Sequence, residues 1–517
     1  MKLKLDSIKN EKAAWESIGV ALPSYDIEKM KEATVKDPIW VHFGAGNIFR
    51  GYIANLQNQL LNQGLAEKGI VAVDSSDGDQ IVKVYNPFDN LTLLVSLYAD
   101  GSSKKEVVAS IAEAVHADWA KAGSLARLRE IFTCPDLQMC TFTITEKGYN
   151  VKDFDAEDIS APKSVMAKVA ALLYERYKAG AFPIAVVSMD NCSHNGEKLK
   201  NSVVGLAESW LKKGDVDQGF VDYLNDESVV SFPWSMIDKI TPRPNDGIAK
   251  QLTGLGIEDM AIIPREKGAP VAPFVNCESS QYLVIEDRFP NGRPALEKAG
   301  VYLADRDTVN MTERMKVTTC LNPLHTALAV LGCQLGYDRI YKEMEDADLK
   351  ALVEKIGLKE GMPVVTNPGI IDPEEFLNEV LTQRLPNPYI PDMPQRIACD
   401  TSQKVPVRFG ETIKSYLASD TLSLDDLDAI PFAIAAWLRY LGATDDNGEA
   451  FELSEDPRIE ELQQKLEGGI DSILSDVSIF GADLTATPLY GKIADYYSRI
   501  LEGPGALRKV LHEVATR

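Results

Sequence analysis

The order of apolar and polar segments divides the chain into two regions of different character. In the first region, short apolar runs alternate with segments of helical periodicity such as 48–62. The apolar runs cover residues 39–43, 70–73, 139–144 and 184–189. Runs of this length predict buried strands, and strands that alternate with helices predict a parallel sheet built from βαβ units.

The second region carries mostly helical periodicity, and strand signals are few. The helical segments cover 311–335, 339–357, 373–384, 411–419, 424–441 and 456–516. We therefore predict an α/β domain over residues 1–285 and a mainly α-helical domain over residues 286–517. The polar residues 1–37 are expected to wrap the surface ahead of the first core strand.

Composition and charge narrow the class of protein. The 517 residues are 45% hydrophobic and 25% charged, which is ordinary for a globular protein. Lys and Arg number 54 against 77 Asp and Glu, which gives a net charge of −23. This acidity argues against nucleic acid or an anionic membrane as partner, because phosphate contacts require clustered cations. A small anionic substrate stays possible, since a pocket can be locally positive.

The sequence predicts neither a membrane span nor a secretory leader. No apolar run reaches the length of a transmembrane helix, and residues 1–12 lack the apolar centre of a signal peptide. The seven cysteines form no CxxC pair, and their scatter is typical of reduced thiols. The five histidines form no zinc motif. We expect a cytoplasmic protein that holds no metal and, in the absence of a recognisable dimer surface, a monomer.

A glycine loop, GAGNIFRG at residues 44–51, follows the first predicted strand and opens a helix. Such glycines let the backbone approach a pyrophosphate, whose charge the helix N-terminus stabilises. The third glycine of the dinucleotide fingerprint is missing, because its position holds Phe49. A tight turn, with Arg50 in solvent, is the alternative interpretation. The candidate cofactor contacts in this loop are Gly44, Gly46, Asn47, Ile48 and Arg50.

Asp74 ends the second predicted strand and is the other candidate cofactor contact. An acidic residue at this position accepts hydrogen bonds from the adenine ribose hydroxyls. Residues 75–79 contain no Arg or Lys that could neutralise a 2′-phosphate, so NAD(H) is favoured over NADP(H). Alternatively, Asp74 only caps the following turn.

Further motifs that contain polar residues lie along the rest of the chain. In chain order they read TITEKGY at 143–149, SMDNCSHNG at 188–196, FPWSMIDKITP at 232–242, IEDRF at 285–289 with GRP at 292–294, and MKVTTCLNPLH at 315–325. This set resembles the long-chain mannitol dehydrogenase family, which includes fructuronate and tagaturonate reductases and polyol dehydrogenases. The resemblance runs from about Trp40 to the C-terminus and is strongest to the fructuronate reductases.

The resemblance implies a Rossmann-like NAD-binding domain followed by a helical substrate domain. It also implies a metal-independent hydride transfer in which a lysine is the acid/base. The family's catalytic residues fall on Lys316, Asn191, Asn322 and His325. Its substrate-contacting residues fall on Asp238 and, within the motif 395–406, on Arg396 and Lys404.

The chemistry of lysine, asparagine and histidine side chains is compatible with such a hydride transfer. Reduction of a ketone needs a proton on oxygen as hydride reaches carbon, and a lysine can supply it if desolvation lowers its pKa from ~10.4. Fixed amide dipoles can polarise the carbonyl, and His325 can bind a neighbouring hydroxyl. The ordinary alternatives are a solvated surface lysine at 316, a helix start at Asn322-Pro323 and a core histidine at 325.

The lysine motif departs from the usual family spacing by one residue. Five residues, instead of the usual four, separate Lys316 from Asn322. On an ideal helix with ~100° per residue, Lys316 and His325 would lie about 180° apart, whereas one residue fewer brings them to about 80°. We therefore predict a π-bulge or a broken turn between Lys316 and Asn322. A second departure is Gln281-Tyr282, where the family usually has Gln-Trp.

The substrate stays open at this stage. The favoured reaction is reduction of fructuronate to D-mannonate with NADH, in which Arg396, Lys404 and Arg408 could supply cations for the carboxylate. The same cations could instead form ion pairs within an acidic surface. Reduction of tagaturonate and oxidation of mannitol or another polyol are the alternatives. A protein of another class, a catalytically silent NAD-binding sensor, would bind the cofactor without turnover.

Overall fold

The computed structural model describes residues 1–517, and they form two compact units. The first unit comprises 1–97 and 102–310, and the second comprises 98–101 and 311–517. The boundary between the two units therefore lies further along the chain than residue 285, where the sequence predicted it. The reason is that strands Tyr282–Glu286 and Tyr302–Ala304 pair with each other and keep the intervening chain in the first unit.

All strands of the structure belong to the first unit. They are β1 (Val20–Ala21), β2 (Trp40–Phe43), β3 (Ile70–Asp74), β4 (Thr92–Leu97), β5 (Ser103–Val108), β6 (Ile111–His116), β7 (Met139–Phe142), β8 (Ile184–Ser188), β9 (Val230–Ser231), β10 (Ser235–Asp238), β11 (Phe274–Glu278), β12 (Tyr282–Glu286) and β13 (Tyr302–Ala304).

The main sheet is parallel throughout, in the order β6-β3-β2-β7-β8-β9. Numbered along the chain, this is the doubly wound order 3-2-1-4-5-6, whose ligand crevice lies at the carboxyl ends of the strands beside the switch between the central strands. Every residue of β2, β3, β7 and β8 is buried, which explains their continuous apolar runs. The predicted α/β class and these four strands are confirmed.

Two smaller sheets complete the first unit. One has the order β1-β5-β4-β11, in which only the β4–β5 pair is antiparallel. The other has the order β10-β12-β13, with β10 antiparallel to β12. Strand β10 ends at Asp238, the first residue of the segment DKITP, so this third sheet positions one of the candidate substrate residues.

The helices of the first unit include three in the N-terminal extension, where Trp15 is fully buried. The extension is therefore folded into the unit, although only a surface wrap was expected. The helices are α1 (Leu5–Asn10), α2 (Lys12–Ser17), α3 (Ile27–Lys36), α4 (Ala54–Asn62), α5 (Ala122–Thr133), α6 (Val165–Gly180), α7 (Asn195–Lys213), α8 (Gln218–Asn225) and α9 (Asp246–Gly254).

The second unit is helical, as predicted, and α18 is buried along its whole length as expected for a core helix that is apolar all round. None of the helices has both the length and the apolar character needed to cross a lipid bilayer. Following α10 (Arg306–Met315), which crosses the division, they are α11 (Asn322–Leu335), α12 (Ile340–Glu345), α13 (Ala347–Glu354), α14 (Pro373–Glu379), α15 (Pro394–Ile397), α16 (Thr401–Val405), α17 (Glu411–Leu417), α18 (Ala429–Tyr440), α19 (Ile459–Glu467), α20 (Asp471–Leu474), α21 (Val477–Phe480), α22 (Leu489–Ile500) and α23 (Ala506–Thr516).

Arg176 of α6 joins the segments that lead into β7 and β8. Its side chain is fully buried, and its guanidinium donates to five backbone carbonyls. The acceptors and distances are Phe132 (2.8 Å), Cys134 (2.7 Å), Leu137 (3.0 Å), Phe182 (3.0 Å) and Pro183 (2.8 Å). One side chain thus satisfies carbonyls from two loops at the amino end of the sheet, away from the carboxyl edge.

We predict that Arg176→Lys destabilises the first unit by about 3 kcal/mol, because one ammonium cannot replace a five-donor fork and leaves buried carbonyls unsatisfied. Urea unfolding followed by circular dichroism measures the change. Arg129→Lys on neighbouring α5, where the side chain is about half exposed, is the matched control and should shift stability by less than about 0.5 kcal/mol. Equal unfolding midpoints for Arg176→Lys and the control would contradict this role.

Candidate active site

The glycine loop after β2 passes close to the end of β7. Gly44 has φ +115°, and a Cβ at this position would lie 2.2 Å from the Thr143 carbonyl oxygen. Its N–H donates to the carbonyl of Val73 at 3.0 Å. Only glycine fits this combination of positive φ and close backbone approach. Gly44 therefore joins the carboxyl ends of three adjacent strands, β3, β2 and β7.

The other two glycines of the loop, Gly46 and Gly51, have different surroundings. A Cβ on Gly46 would meet nothing within 4 Å, so this backbone is open to a ligand. A Cβ on Gly51 would lie 2.6 Å from Val275 Cγ1 of β11, so Gly51 permits close helix–strand packing. The sequence pattern missed Gly51 because the segment Phe49–Ile53 is a π-helical turn, which changes the register of the fingerprint.

Arg50 lies inside the first unit. Its side chain is fully buried and donates to Thr92 Oγ1 at 3.1 Å and to the Ala272 carbonyl at 2.9 Å. The guanidinium also lies over the ring of Tyr85, whose hydroxyl donates to the Ala45 carbonyl at 2.8 Å. Arg50 thus supports the loop from beneath. Its Nη2 is buried and has no hydrogen-bond partner. As a cofactor contact, Arg50 stays a prediction from the sequence.

His42, at the centre of β2, is a second buried support of the loop. Its ring nitrogens lie 2.6 Å from Thr141 Oγ1 and 2.8 Å from Thr143 Oγ1, and the ring stacks on Phe49 at 4.2 Å. Burial lowers the pKa of His42 to about 3. The ring is therefore neutral at physiological pH and serves to hold the first residue of the π-helical turn.

Asp74, at the end of β3, caps the following turn with one carboxylate oxygen and leaves the other without a partner. Its Oδ1 accepts hydrogen bonds from the Ser76 amide at 2.8 Å and the Ser76 hydroxyl at 2.6 Å, which caps the turn. Its Oδ2 is buried and has no hydrogen-bond partner. A buried carboxylate oxygen without a donor is costly unless a ligand supplies one. The second oxygen therefore fits the hydroxyl of a bound ribose.

Two clefts open at the carboxyl edge of the main sheet, on either side of the glycine loop. The larger, of about 880 Å³, is formed by residues that follow β3 and β6, including Gly78 and Lys121. The smaller, of about 280 Å³, is formed by Ile48 of the loop helix with Met189 and Asn191 after β8. This arrangement suits an extended ligand whose middle crosses the loop at the switch point of the sheet.

The loop after β8, which carries Asn191, is held by the residues around it. Asp190 accepts hydrogen bonds from the amides of Ile144 and Thr145, both at 2.9 Å, and from the Tyr149 hydroxyl at 2.5 Å. These bonds join the ends of β7 and β8, and they leave the neighbouring Asn191 side chain exposed at the smaller cleft.

Asn195 extends this support to β10. Its amide donates to the Asp190 carbonyl at 3.0 Å and to the Ser235 carbonyl at 2.9 Å, and it accepts from the Ser235 amide at 3.0 Å. Asp238 is the last residue of β10, is buried, and pairs with Tyr282 across the sheet. Tyr282, which stands where the family usually has Trp, thus lies directly opposite a candidate substrate residue. Asp190 and Asn195 were missed because their partners are distant in sequence.

In the second unit, the predicted π-bulge is confirmed. Residues Lys316–Cys320 form a π-helical turn, and the Leu321 amide donates to the Lys316 carbonyl at 3.1 Å. This i to i+5 bond absorbs the additional residue, so the angle between Lys316 and His325 approaches the estimate of about 80°. Lys316 is 3% exposed, which rules out the solvated surface lysine considered as the alternative.

Helix α11 begins directly after this turn, at Asn322. The N-cap position is Leu321, and no side chain caps the helix, so Asn322 does not act as a cap. The Asn322 amide makes no hydrogen bond within the chain and is partly exposed. Pro323 occupies the first turn, where its missing N–H costs nothing. The Asn322 amide therefore stays available to a ligand.

His325, one turn further along α11, lies against a carboxylate. Its Nε2 is 3.2 Å from Asp392 Oδ2, although the N–H is not aligned well enough for a regular hydrogen bond. Asp392 also pairs with Arg396, whose side chain is 65% exposed. Burial alone would raise the pKa of Asp392, but His325 and Arg396 outweigh it, and the pKa lies below its ordinary value. The Asp392 carboxylate thus orients His325 and forms an ion pair with Arg396.

Lys404, the other predicted substrate cation, is half-buried and hydrogen-bonded within the chain. Its ammonium donates to the Ile397 carbonyl at 3.0 Å and to the Cys399 carbonyl. Burial, assisted by the charge of Arg408, lowers the pKa of Lys404. Lys404 therefore closes the end of α15, the short helix that carries Arg396.

The strand order, the glycine loop and the unpartnered Asp74 oxygen define a dinucleotide-binding protein of the Rossmann class with an additional helical unit. Residues 38–298 match the mannitol dehydrogenase Rossmann domain, and residues 308–501 match the mannitol dehydrogenase C-terminal domain. The chain therefore belongs to the mannitol dehydrogenase family, and the resemblance found in the sequence motifs is confirmed.

Relatives of the chain act on several sugars. A D-mannonate oxidoreductase of Thermotoga maritima is 49% identical, over 100% of this chain and 99% of its own length. A polyol:NADP oxidoreductase of Gluconobacter oxydans is 31% identical, over 86% and 87%. Among solved structures, Pseudomonas fluorescens mannitol 2-dehydrogenase in a ternary complex with NAD and D-mannitol has a TM-score of 0.70 at 26% identity and covers 100% of both chains. Substrate-free D-sorbitol dehydrogenase has a TM-score of 0.78 at 25% identity, over 96% and 98%.

Gly44 and Gly46 offer a matched pair of substitutions in one loop. We predict that Gly44→Ala destabilises the protein by about 2 kcal/mol or more, because the methyl group would overlap the Thr143 carbonyl at a positive φ. Gly46→Ala should keep the melting temperature and weaken NADH binding about tenfold, because the methyl group occupies the open side of the loop. Differential scanning calorimetry and fluorescence titration with NADH measure the two effects. Equal behaviour of both variants in both assays would contradict the assignment.

Proposed function

We propose that this protein is a fructuronate reductase, which reduces fructuronate to D-mannonate with NADH. The observation that carries the substrate assignment is the 49% identity, over full length, to the Thermotoga maritima D-mannonate oxidoreductase. At the coarser level, the protein is an NAD-dependent oxidoreductase of sugar acids or polyols.

The loop chemistry supports NAD(H) as the cofactor. Gly44, Gly46 and the amides of Asn47 and Ile48 at the helix start would hold the pyrophosphate, because the first amides of a helix have no intrahelical partner. Asp74 Oδ2 would accept from the ribose, which agrees with the preference for NAD(H) expected from the residues after Asp74. When bound, the cofactor supplies the hydride.

The chain's own residues supply the proton and the polarisation. In this mechanism the Lys316 ammonium gives its proton to the ketone oxygen, and in the reverse direction the amine takes it from the alcohol. In the second unit, the amide of Asn322 would donate to this oxygen as negative charge develops on it, and Asn191 of the first unit stays a predicted donor. His325, oriented by Asp392, binds a neighbouring hydroxyl. No step of this mechanism requires a metal ion.

Substrate contacts, oligomeric state and location are also part of the proposal. Arg396 would contact substrate hydroxyls in the second unit, with Lys404 holding the end of the helix that carries it. Asp238 of the first unit stays a predicted substrate contact. A monomer in the cytoplasm stays a prediction from the sequence.

A substrate panel tests the reaction. We predict that the purified protein oxidises NADH with fructuronate and reduces NAD with D-mannonate, measured by absorbance at two pH values. Turnover of tagaturonate or fructose should be at least about tenfold lower in kcat/KM, because small differences in contact are worth about this much. A preference for tagaturonate, or for mannitol and fructose, would establish one of the alternative substrates. NADH binding without turnover on any of them would favour the catalytically silent sensor.

Lys316→Ala tests the acid/base assignment. We predict that kcat falls at least about 100-fold while the NADH dissociation constant changes little, because only the proton donor is removed. Lys359→Ala, an exposed lysine of the same unit, is the matched control and should keep full activity. Turnover by Lys316→Ala at the wild-type rate would remove this residue from the mechanism.

A further inference from the structure

The motif 395–408 contains three cations that differ in their partners. Arg396 is paired with the Asp392 carboxylate. Lys404 donates to two backbone carbonyls at the end of α15. Arg408 has only one partner, because its Nη1 donates to Thr326 Oγ1 and no carboxylate pairs with the guanidinium. Arg408 is therefore the cation of this motif that has neither a carboxylate nor a backbone carbonyl as partner.

The surroundings of Arg408 make an unpaired charge costly. The side chain is largely buried, and burial lowers the pKa of Arg408 to about 10, with no neighbouring acid to offset it. The group still carries its charge at neutral pH. A desolvated cation without a counter-ion is destabilising, and removing it from water is compensated only when an anion pairs with it. The fold thus maintains a positive charge whose natural complement is an anionic ligand.

The position of Arg408 connects it with the candidate catalytic residues of the second unit. It belongs to the π-helical turn Pro406–Gly410, which packs against the π-helical turn that begins at Lys316 and against α11. Its partner Thr326 directly follows His325 on α11. The Arg408 guanidinium therefore lies against the turn of α11 that carries His325.

We propose that Arg408 binds the carboxylate of the substrate and makes this enzyme selective for a sugar acid over the neutral sugar of the same length. The inference rests on the proposed function, and it names the residue that recognises the acid. The two planar N–H edges of a guanidinium match a carboxylate, and Thr326 fixes one nitrogen so that the others face the ligand. The carboxylate lies at the opposite end of fructuronate from the keto group. Arg408 is accordingly a binding residue and takes no part in proton transfer.

The test compares two substrates that differ only in the charged end, fructuronate and fructose. For Arg408→Met we expect kcat/KM with fructuronate to fall about 100-fold, chiefly through KM, because a charge-assisted bidentate contact is lost. The low rate with fructose should change less than about threefold. Arg408→Lys should recover part of the loss with fructuronate, since it restores the charge without the planar fork. The readout is the selectivity ratio, which is kcat/KM with fructuronate divided by kcat/KM with fructose, and not either rate alone.

Arg339→Gln, an arginine at the start of α12 that pairs with Asp338, is the matched control and should leave the ratio unchanged. Melting temperatures identify a variant that fails to fold, and Arg408→Lys then carries the comparison. An equal fall with both substrates, or an unchanged ratio in Arg408→Met and Arg408→Lys, overturns the role of Arg408. A wild-type protein that does not reduce fructuronate at all overturns the proposed function instead, because that result does not depend on any variant.

Discussion

The hydrogen bond from the Leu321 amide to the Lys316 carbonyl is the constraint on which the candidate catalytic group of the helical unit depends. In a regular α-helix the additional residue before Asn322 would turn the lysine away from His325. The π-helical turn accommodates that residue, buries Lys316, and lets α11 start with an unpartnered asparagine amide. A single change of helical register thus reconciles an unusual spacing with a buried Lys316 and a helix that starts at Asn322.

The dinucleotide loop of the first unit uses the same device. A π-helical turn places Gly51, instead of a glycine at 49, against β11, and Phe49 becomes available to stack on His42. Arg50 and Tyr85 support the loop through buried contacts to Thr92 and to the Ala45 carbonyl. Each unit thus has a π-helical turn in a candidate functional segment. Other π-helical turns, such as Lys355–Gly361, lie outside these segments.

Charge is distributed unevenly in this acidic protein. The net charge of −23 favours solvent-exposed carboxylates, but the motif 395–408 concentrates cations within the helical unit. Two of its cations are neutralised or hydrogen-bonded by the chain itself, and one retains its charge for an external anion. An acidic protein can therefore maintain a local site for an acidic substrate, because the field inside a partly desolvated pocket is set by the nearest groups.

The sequence by itself determined the α/β class, the four central strands and the family, since buried parallel strands are read from continuous apolar runs and the family from ordered motifs. It also predicted a distortion between Lys316 and Asn322, because an unbroken helix would turn Lys316 away from His325. Local patterns failed where partners are distant along the chain. Gly51 depends on a contact with Val275, Asn195 on Ser235, and the division at 310 on the pairing of β12 with β13. Only the tertiary structure decided that Arg50 is buried and that Arg408 lacks an anion, because burial and ion pairing depend on which segments pack together and not on the identity of neighbouring residues.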